Sequence, residues 1–170
     1  RKLFSPLTKD WPLQVRQQLV EEIYEPYRQR VRTRIRSMLA TSPYVIHLSV
    51  RSFDLRGTDG RLRRTDVGLL YDPAVDDEVD LCIDWIDEMY DCVPMLRVRR
   101  NYPRRGTTDS ITRSMRAEFC GQNYLGIELM LNRAWAQRAV SLRAAAIQGI
   151  CWSLQEVLQI EHCEAASTRD

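Results

Sequence analysis

The sequence has 170 residues, of which 44% are hydrophobic and 28% are charged, a composition typical of one soluble globular domain. Its 25 basic and 23 acidic residues nearly cancel, so net charge indicates neither a nucleic acid nor a membrane surface as partner. The sequence contains no apolar run long enough to span a membrane and no secretory signal pattern.

The N-terminal quarter predicts a loop over residues 3–11 followed by helix, because Pro12 suits a first helical turn. Apolar residues recur at helical spacing on both sides of Pro26, which predicts either two helices or one kinked helix. The second run carries five arginines, at positions 28, 30, 32, 34 and 36. No aromatic side chains interleave with them as stacking platforms, so we expect a solvated helix face rather than a nucleic-acid-binding surface.

Residues 43–73 are predicted to form a strand, a polar loop and a second strand. Apolar and polar side chains alternate over residues 44–53, so one face of the first strand packs and the other carries polar groups. The strand runs out at Arg51, Ser52 and Asp54 into a loop that contains Gly57 and Gly60. Open α/β sheets bind ligands beyond the carboxyl ends of strands, so we expect a site there.

The rest of the chain predicts helices alternating with strands. Periodicity indicates helices over residues 76–91, 111–119 and 140–160, and strands over residues 95–98 and 124–131. This alternation predicts an α/β fold of three layers, with a mostly parallel central sheet and helices on both faces.

Glu128 is the single carboxylate in the apolar run 124–131, where an ionised group requires compensation. Two interpretations stay open. Glu128 is a general base for an activated water, or it lies at the end of the strand and pairs with an arginine of the region 97–105. The arginines of that region predict either a clamp for an anionic substrate or a solvated basic loop; they are Arg99, Arg100, Arg104 and Arg105.

The two histidines and five cysteines predict no metal site. His47 and His162 are too far apart for a metal motif, so we expect a hydrogen-bonded structural residue and a charge at a helix terminus, respectively. The cysteines are odd in number and form no C-x-x-C pair; they are Cys82, Cys92, Cys120, Cys151 and Cys163. We therefore expect reduced thiols in a cytoplasmic protein.

Five segments in order resemble the N-formylglutamate amidohydrolase family. They are EPYRQRV (25–31), VIHLSVRSF (45–53), DVGLLYDP (66–73), RVRRNYPRRGTTDS (97–110) and YLGIELMLNR (124–133). The resemblance implies a zinc-carboxypeptidase-like fold, with a central mixed sheet and helices on both sides. It also implies hydrolysis of the C–N bond of an N-formyl or N-acyl amino acid by a metal-bound water.

The same resemblance implies roles for individual residues. Glu128 would be the general base, and the arginine loop would bind the substrate carboxylate through Arg99, Arg100, Asn101, Arg105 and Asp109. Zinc is the implied cofactor, but Arg51 stands where the family has a metal-binding histidine, and a guanidinium offers no lone pair to a metal. The family's other metal ligands would precede Arg1. We therefore expect residues 1–170 to be a single domain that lacks its N-terminal part.

Two functions follow from the resemblance. The first is a zinc-dependent amidohydrolase; the alternative is a catalytically inactive anion-binding protein in which Arg51 replaces the charge of the metal. In both, the partner is a small anionic N-acyl amino acid rather than nucleic acid or a membrane, and no oligomeric state is indicated. We also expect Glu128 to face Arg51 and the loop 101–109.

Overall fold

The structure, a computed structural model, describes residue 4 and residues 7–167, with side chains as far as residue 158. The chain forms two compact units, residues 1–45 and residues 46–170. Among the described residues, no helix has the length and apolar character needed to cross a membrane. The predictions for His162 and Cys163 lie outside the described side chains.

The first unit consists of turns over residues 7–10 and a long helical stretch. Helix α1 (Leu13–Leu19) leads through a π-helical turn (Val20–Tyr24) into helix α2 (Glu25–Leu39). Pro26 lies in the first turn of α2 and has no backbone N–H, so the regular α-helical hydrogen bonding is interrupted just before it. The sequence left open two helices or one kinked helix, and the structure has two α-helices joined by this turn.

The second unit is built on a sheet of four strands in the order β1-β4-β2-β3. The strands are β1 (Val45–Phe53), which begins at the unit boundary, β2 (Val67–Leu70), β3 (Val98–Arg100) and β4 (Tyr124–Asn132). Strand β2 is parallel to β3 and antiparallel to β4. The sheet is therefore mixed, which confirms the predicted fold class.

Three α-helices flank this sheet, namely α3 (Asp76–Cys92), α4 (Ile111–Glu118) and α5 (Val140–Ser167), and a 3-10 turn (Arg133–Gln137) follows β4. The helices match the predicted ones closely. The strand predicted over residues 95–98 was misplaced. Leu96 donates its N–H to the carbonyl of Val93 in a turn that contains Pro94 and Met95, so the strand begins only at Val98.

The two faces of the sheet carry different layers. On one face, β2 and β4 contribute alternate residues to a hydrophobic core that includes α3 and α5. Trp85 of α3 donates its indole N–H to the hydroxyl of Ser153 in α5 at 3.0 Å, which ties the two helices together. The opposite face carries a smaller cluster of Phe53, Leu70 and Met130, and α4 packs there against β4. The predicted alternation in β1 is present in part. Ile46 and Leu48 pack toward the α3 and α5 core, but Val50 on the same face is exposed, and Val45 and Phe53 on the other face are buried.

Candidate functional site

Glu128 lies in the middle of β4, opposite Leu70 of β2, and is fully buried on the α4 face. Its Oε2 accepts a hydrogen bond from Nη2 of Arg104 at 2.5 Å and lies 3.8 Å from Nη1 of Arg51. Its Oε1 accepts a hydrogen bond from the hydroxyl of Thr112 at 3.1 Å. We call these residues, Arg51, Arg104, Thr112 and Glu128, the Glu128 cluster.

Two guanidinium groups face one carboxylate in the Glu128 cluster, so it carries an excess positive charge. A fully buried carboxylate requires a paired and hydrogen-bonded partner, and Arg104 meets that requirement. The Arg51 side chain is 54% exposed and its nearest nitrogen is beyond hydrogen-bond distance of Glu128. Nη1 of Arg104 is buried and has no hydrogen-bond partner among the described residues. Arg51 therefore retains exposed donors for another anion, and Arg104 retains a buried one.

The predicted meeting of Glu128, Arg51 and the loop 101–109 is confirmed by these contacts. The pairing of Glu128 with an arginine of the region 97–105 is also present. Glu128 is not at the end of its strand, however, because β4 continues to Asn132. The role of Glu128 as general base stays a prediction.

The loop that carries Arg104 is held by Asn101. Asn101 adopts a positive φ of 47°, and its Oδ1 accepts hydrogen bonds from the backbone N–H groups of Tyr71 and Gly106, at 3.3 and 2.8 Å. A Cβ on Gly106 would lie 2.2 Å from the carbonyl oxygen of Tyr71, so only glycine fits there. The predicted substrate-binding Asn101 thus uses its carbonyl oxygen to shape the loop.

The structure separates the other predicted substrate-binding residues. Arg99 and Arg100 are adjacent in β3 and so point to opposite faces of the sheet. The register places Arg99 on the face of Glu128, where its guanidinium lies 5.8 Å from the ring centroid of Tyr102, and Arg100 on the α3 face. Arg100 is therefore not brought to the Glu128 cluster. Arg105 and Asp109 are exposed in the loop.

A buried ion pair between Glu78 of α3 and Arg116 of α4 binds the backbone next to the Glu128 cluster. Glu78 accepts hydrogen bonds from Nε of Arg116 at 2.8 Å and from the backbone N–H groups of Gly126 and Asp72, at 2.6 and 2.8 Å. Arg116 also donates to the carbonyl oxygens of Gly126 and Gly106. The sequence did not predict this pair, because Glu78 cannot be distinguished from the solvated acids that are common in the first turn of a surface helix.

Thr112 and Ser110 were also missed. Ser110 is the N-cap of α4, and its hydroxyl accepts a hydrogen bond from the backbone N–H of Arg113 at 3.2 Å. The Ser110 and Thr112 hydroxyl oxygens are 2.9 Å apart. Because Thr112 donates its proton to Glu128, Ser110 donates to Thr112. The helix cap thus orients the hydroxyl that binds Glu128, and the only sequence signal was the serine before α4.

His47 and Tyr124 form a second polar pair on the same face. Nδ1 of His47 lies 2.7 Å from the hydroxyl of Tyr124. Burial lowers the pKa of His47, and the nearby Arg116 lowers it further while Glu128 opposes the shift. Burial also raises the pKa of Tyr124, so its phenol stays protonated beside the imidazole. The hydrogen-bonded role predicted for His47 is confirmed.

The residues of the Glu128 cluster do not fit the zinc ion that the resemblance implies. Among the described residues, no group of three or more His, Cys, Asp or Glu side chains could hold a metal ion. At Glu128 itself, the guanidinium groups of Arg51 and Arg104 cannot act as ligands, and their charge repels a cation. The chemistry available here is that of anion binding.

The four described cysteines, Cys82, Cys92, Cys120 and Cys151, are free thiols, as predicted. Burial raises the pKa of Cys82, and Cys92 has a raised pKa with its thiol beside Glu88. These shifts disfavour thiolates. We find no sign of a reactive cysteine at either position.

Glu78→Gln should destabilise the protein by about 3 kcal/mol or more, because it leaves the Arg116 guanidinium buried without its counter-charge. The matched control is Asp54→Asn, which removes the acid from an exposed ion pair with Arg133. That variant should lose at most about 1 kcal/mol. Urea unfolding of both variants measures the difference, and equal losses would contradict the structural role of the buried pair.

Stability should fall as the pH drops below about 6.5, because the folded protein resists protonation of His47 while the unfolded chain does not. The contribution of neutral His47 is complete above the unfolded pKa and is lost as pH falls through the lowered folded pKa. His47→Gln keeps a hydrogen-bonding group but cannot titrate. Between about pH 7.5 and about pH 5.5, wild type should lose more unfolding free energy than this variant. Parallel curves would contradict the assignment.

The sequence pattern of the family described as N-formylglutamate amidohydrolase matches residues 4–134. The structure is similar to the crystal structure of gene product Atu2144 from Agrobacterium tumefaciens, with a TM-score of 0.70 and 20% sequence identity. That similarity covers 95% of this chain and 61% of the Agrobacterium protein, so this chain spans less than two thirds of its length.

At 20% identity, the likeness to the Agrobacterium protein shows the fold alone. A search of curated proteins finds no match. The family match is different in kind, because it extends over well more than half of the chain. The protein belongs to the N-formylglutamate amidohydrolase family.

Proposed function

We propose that the protein binds small N-formyl or N-acyl amino acids, the substrate class of its family, through their anionic carboxylate. The observation that carries this proposal is the charge of the Glu128 cluster, in which two guanidinium groups face one carboxylate. The ligand carboxylate supplies the second negative charge. A guanidinium fork matches a carboxylate in shape, so Arg51 and Arg104 also give the site geometric selectivity.

The two arginines differ in exposure, and this difference supports an order in which a ligand would contact them. Arg51 is half exposed and makes no hydrogen bond to Glu128, so its donors face an incoming ligand first. Arg104 lies deeper, with its side chain 26% exposed and with one buried nitrogen unpartnered among the described residues. Arg99 of β3, on the face of Glu128, and Arg105 in the loop of Arg104 add positive charge and would attract an anion to the site.

Family membership favours a second function, hydrolysis of the C–N bond of the bound molecule with Glu128 as general base. A general base must reach the attacking water, and Glu128 is buried with both of its oxygens engaged. A ligand that draws Arg104 away would release Oε2 to accept a proton from water. The water oxygen would then form a bond to the acyl carbon, and Glu128 would return the proton to the leaving nitrogen as the C–N bond breaks. The described residues offer zinc no place, so this proposal uses no metal.

A reducing, cytoplasmic setting is part of the same proposal, and the four free thiols among the described residues support it. A single domain over residues 1–170 also stays a proposal.

Arg51→Gln should weaken binding of N-formylglutamate about tenfold or more, because it removes a charge-assisted hydrogen bond to the ligand carboxylate. Isothermal titration calorimetry measures the dissociation constant. The matched control is Arg61→Gln, which also removes one positive charge. Arg61 is 89% exposed and pairs with Asp59, so this control should bind like wild type. Equal effects of the two variants would contradict the proposed site.

Formate release, measured together with N-formylglutamate binding, distinguishes hydrolysis from binding alone. If Glu128 is the base, wild type releases formate and Glu128→Gln does not. If wild type binds without releasing formate, the non-catalytic function holds. The Arg51→His variant tests position 51 itself, since a gain of bound zinc together with hydrolysis would identify it as a lost metal position.

A further inference from the structure

A cavity of about 800 Å³ lies on the α5 face of the sheet, away from the Glu128 cluster. It is bounded by the start of β2, the end of β4, the 3-10 turn and the first turns of α5. Val67 and Leu131, which pair across β2 and β4, line it and face the α3 and α5 core. Glu128 points to the opposite face, so the sheet separates the two places.

The cavity has the size and the character of a ligand pocket. Its volume falls within the range of about 300 to 1,000 Å³ that small-molecule sites occupy. Most of its wall is apolar, and the main contributors are Val67, Leu96, Leu131, Trp135, Ile147 and Ile150. An apolar ligand group would therefore be bound by burial of its surface.

Most polar side chains on the wall are already paired. Asp66 accepts hydrogen bonds from the indole of Trp135 at 2.9 Å and from the backbone N–H of Arg97 at 3.0 Å. Asn132 donates to the carbonyl of Thr65 and accepts from the N–H of Ala134. The exposed pair of Arg133 and Asp54 is 2.8 Å apart and cancels its own charge.

Arg143 is the exception on this wall. Its Nη1 makes one long hydrogen bond, 3.4 Å, to the carbonyl of Ala136, and its Nε is buried without a partner among the described residues. Among the described residues, no carboxylate forms an ion pair with Arg143. Arg143 also lies in the first turn of α5, where the helix dipole favours negative charge. An uncompensated cation thus adjoins an apolar space.

We propose that this cavity binds an amphiphilic monocarboxylate. The apolar tail fills the space between the sheet and α5, and the carboxylate accepts hydrogen bonds from the Nη groups of Arg143. Arg143 offers one positive charge. Asp66 on the same wall keeps its negative charge, because Trp135 and Arg97 donate to it from neutral N–H groups. A second negative charge on the ligand, as in N-formylglutamate, is therefore disfavoured. The site is independent of the Glu128 cluster and does not rest on the function proposed for it.

Binding of decanoate, measured by calorimetry, tests the proposal. Wild type should bind decanoate at least about tenfold more tightly than decanol, which has the same tail without the charge. Arg143→Gln should remove that difference while leaving decanol affinity and N-formylglutamate affinity unchanged. Excess N-formylglutamate should not displace decanoate.

A second pair of variants places the ligand in the cavity. Ile147→Glu adds a carboxylate to the wall at a side chain that is 58% exposed, so it should fold and abolish decanoate binding. Val140→Glu adds the same charge to α5 at a position that is 71% exposed and does not line the cavity, so it should bind like wild type. No decanoate binding to wild type, equal affinity for decanol, full affinity in Arg143→Gln or Ile147→Glu, or displacement by N-formylglutamate would overturn the proposal.

Discussion

The buried ion pair between Glu78 and Arg116 is the interaction on which the second unit depends. Glu78 binds the backbone N–H of Gly126 in β4, and Arg116 binds the carbonyls of Gly126 and of Gly106 in the loop. Gly126 is two residues before Glu128, and Gly106 is two residues after Arg104. The pair therefore fixes the backbone on both sides of the closest contact in the Glu128 cluster. A buried charge pair with all its hydrogen bonds made is strongly destabilised when one partner is lost.

Arg51 determines what this scaffold can bind. A metal site needs lone pairs directed at one point, whereas the Glu128 cluster directs protonated guanidinium groups at a carboxylate. That arrangement selects anions and repels cations. Family membership supplies the class of ligand, and the excess charge of the cluster supplies the reason that its carboxylate would be bound.

Local sequence patterns predicted much of the second unit. Alternation in β1 indicated its two faces, and one acid within the apolar strand β4 marked the residue around which the arginines gather. Helix α3 was predictable from its period because its buried residues recur on one side. The family resemblance predicted the mixed sheet, whereas the alternation of helices and strands had predicted a mostly parallel one.

Long-range pairings were not predictable in the same way. Glu78 and Arg116 are 38 positions apart, and nothing in either local pattern separates a buried pair from two solvated charges. Thr112 gave no signal because its partner, Glu128, lies in a different element. Arg99 and Arg100 form one basic cluster in the sequence, but they are adjacent in a strand and therefore lie on opposite faces of the sheet. The strand predicted over residues 95–98 was misplaced, because the chain turns at Pro94 and Met95 and β3 begins only at Val98.

A crystal structure of the protein grown with both N-formylglutamate and zinc is the most direct test of this account. We predict that a ligand carboxylate lies within hydrogen-bond distance of the Arg51 and Arg104 guanidinium groups, with no metal ion at Glu128. A zinc ion bound to Glu128 with Arg51 turned away, or a ligand bound without contact to either arginine, would contradict it.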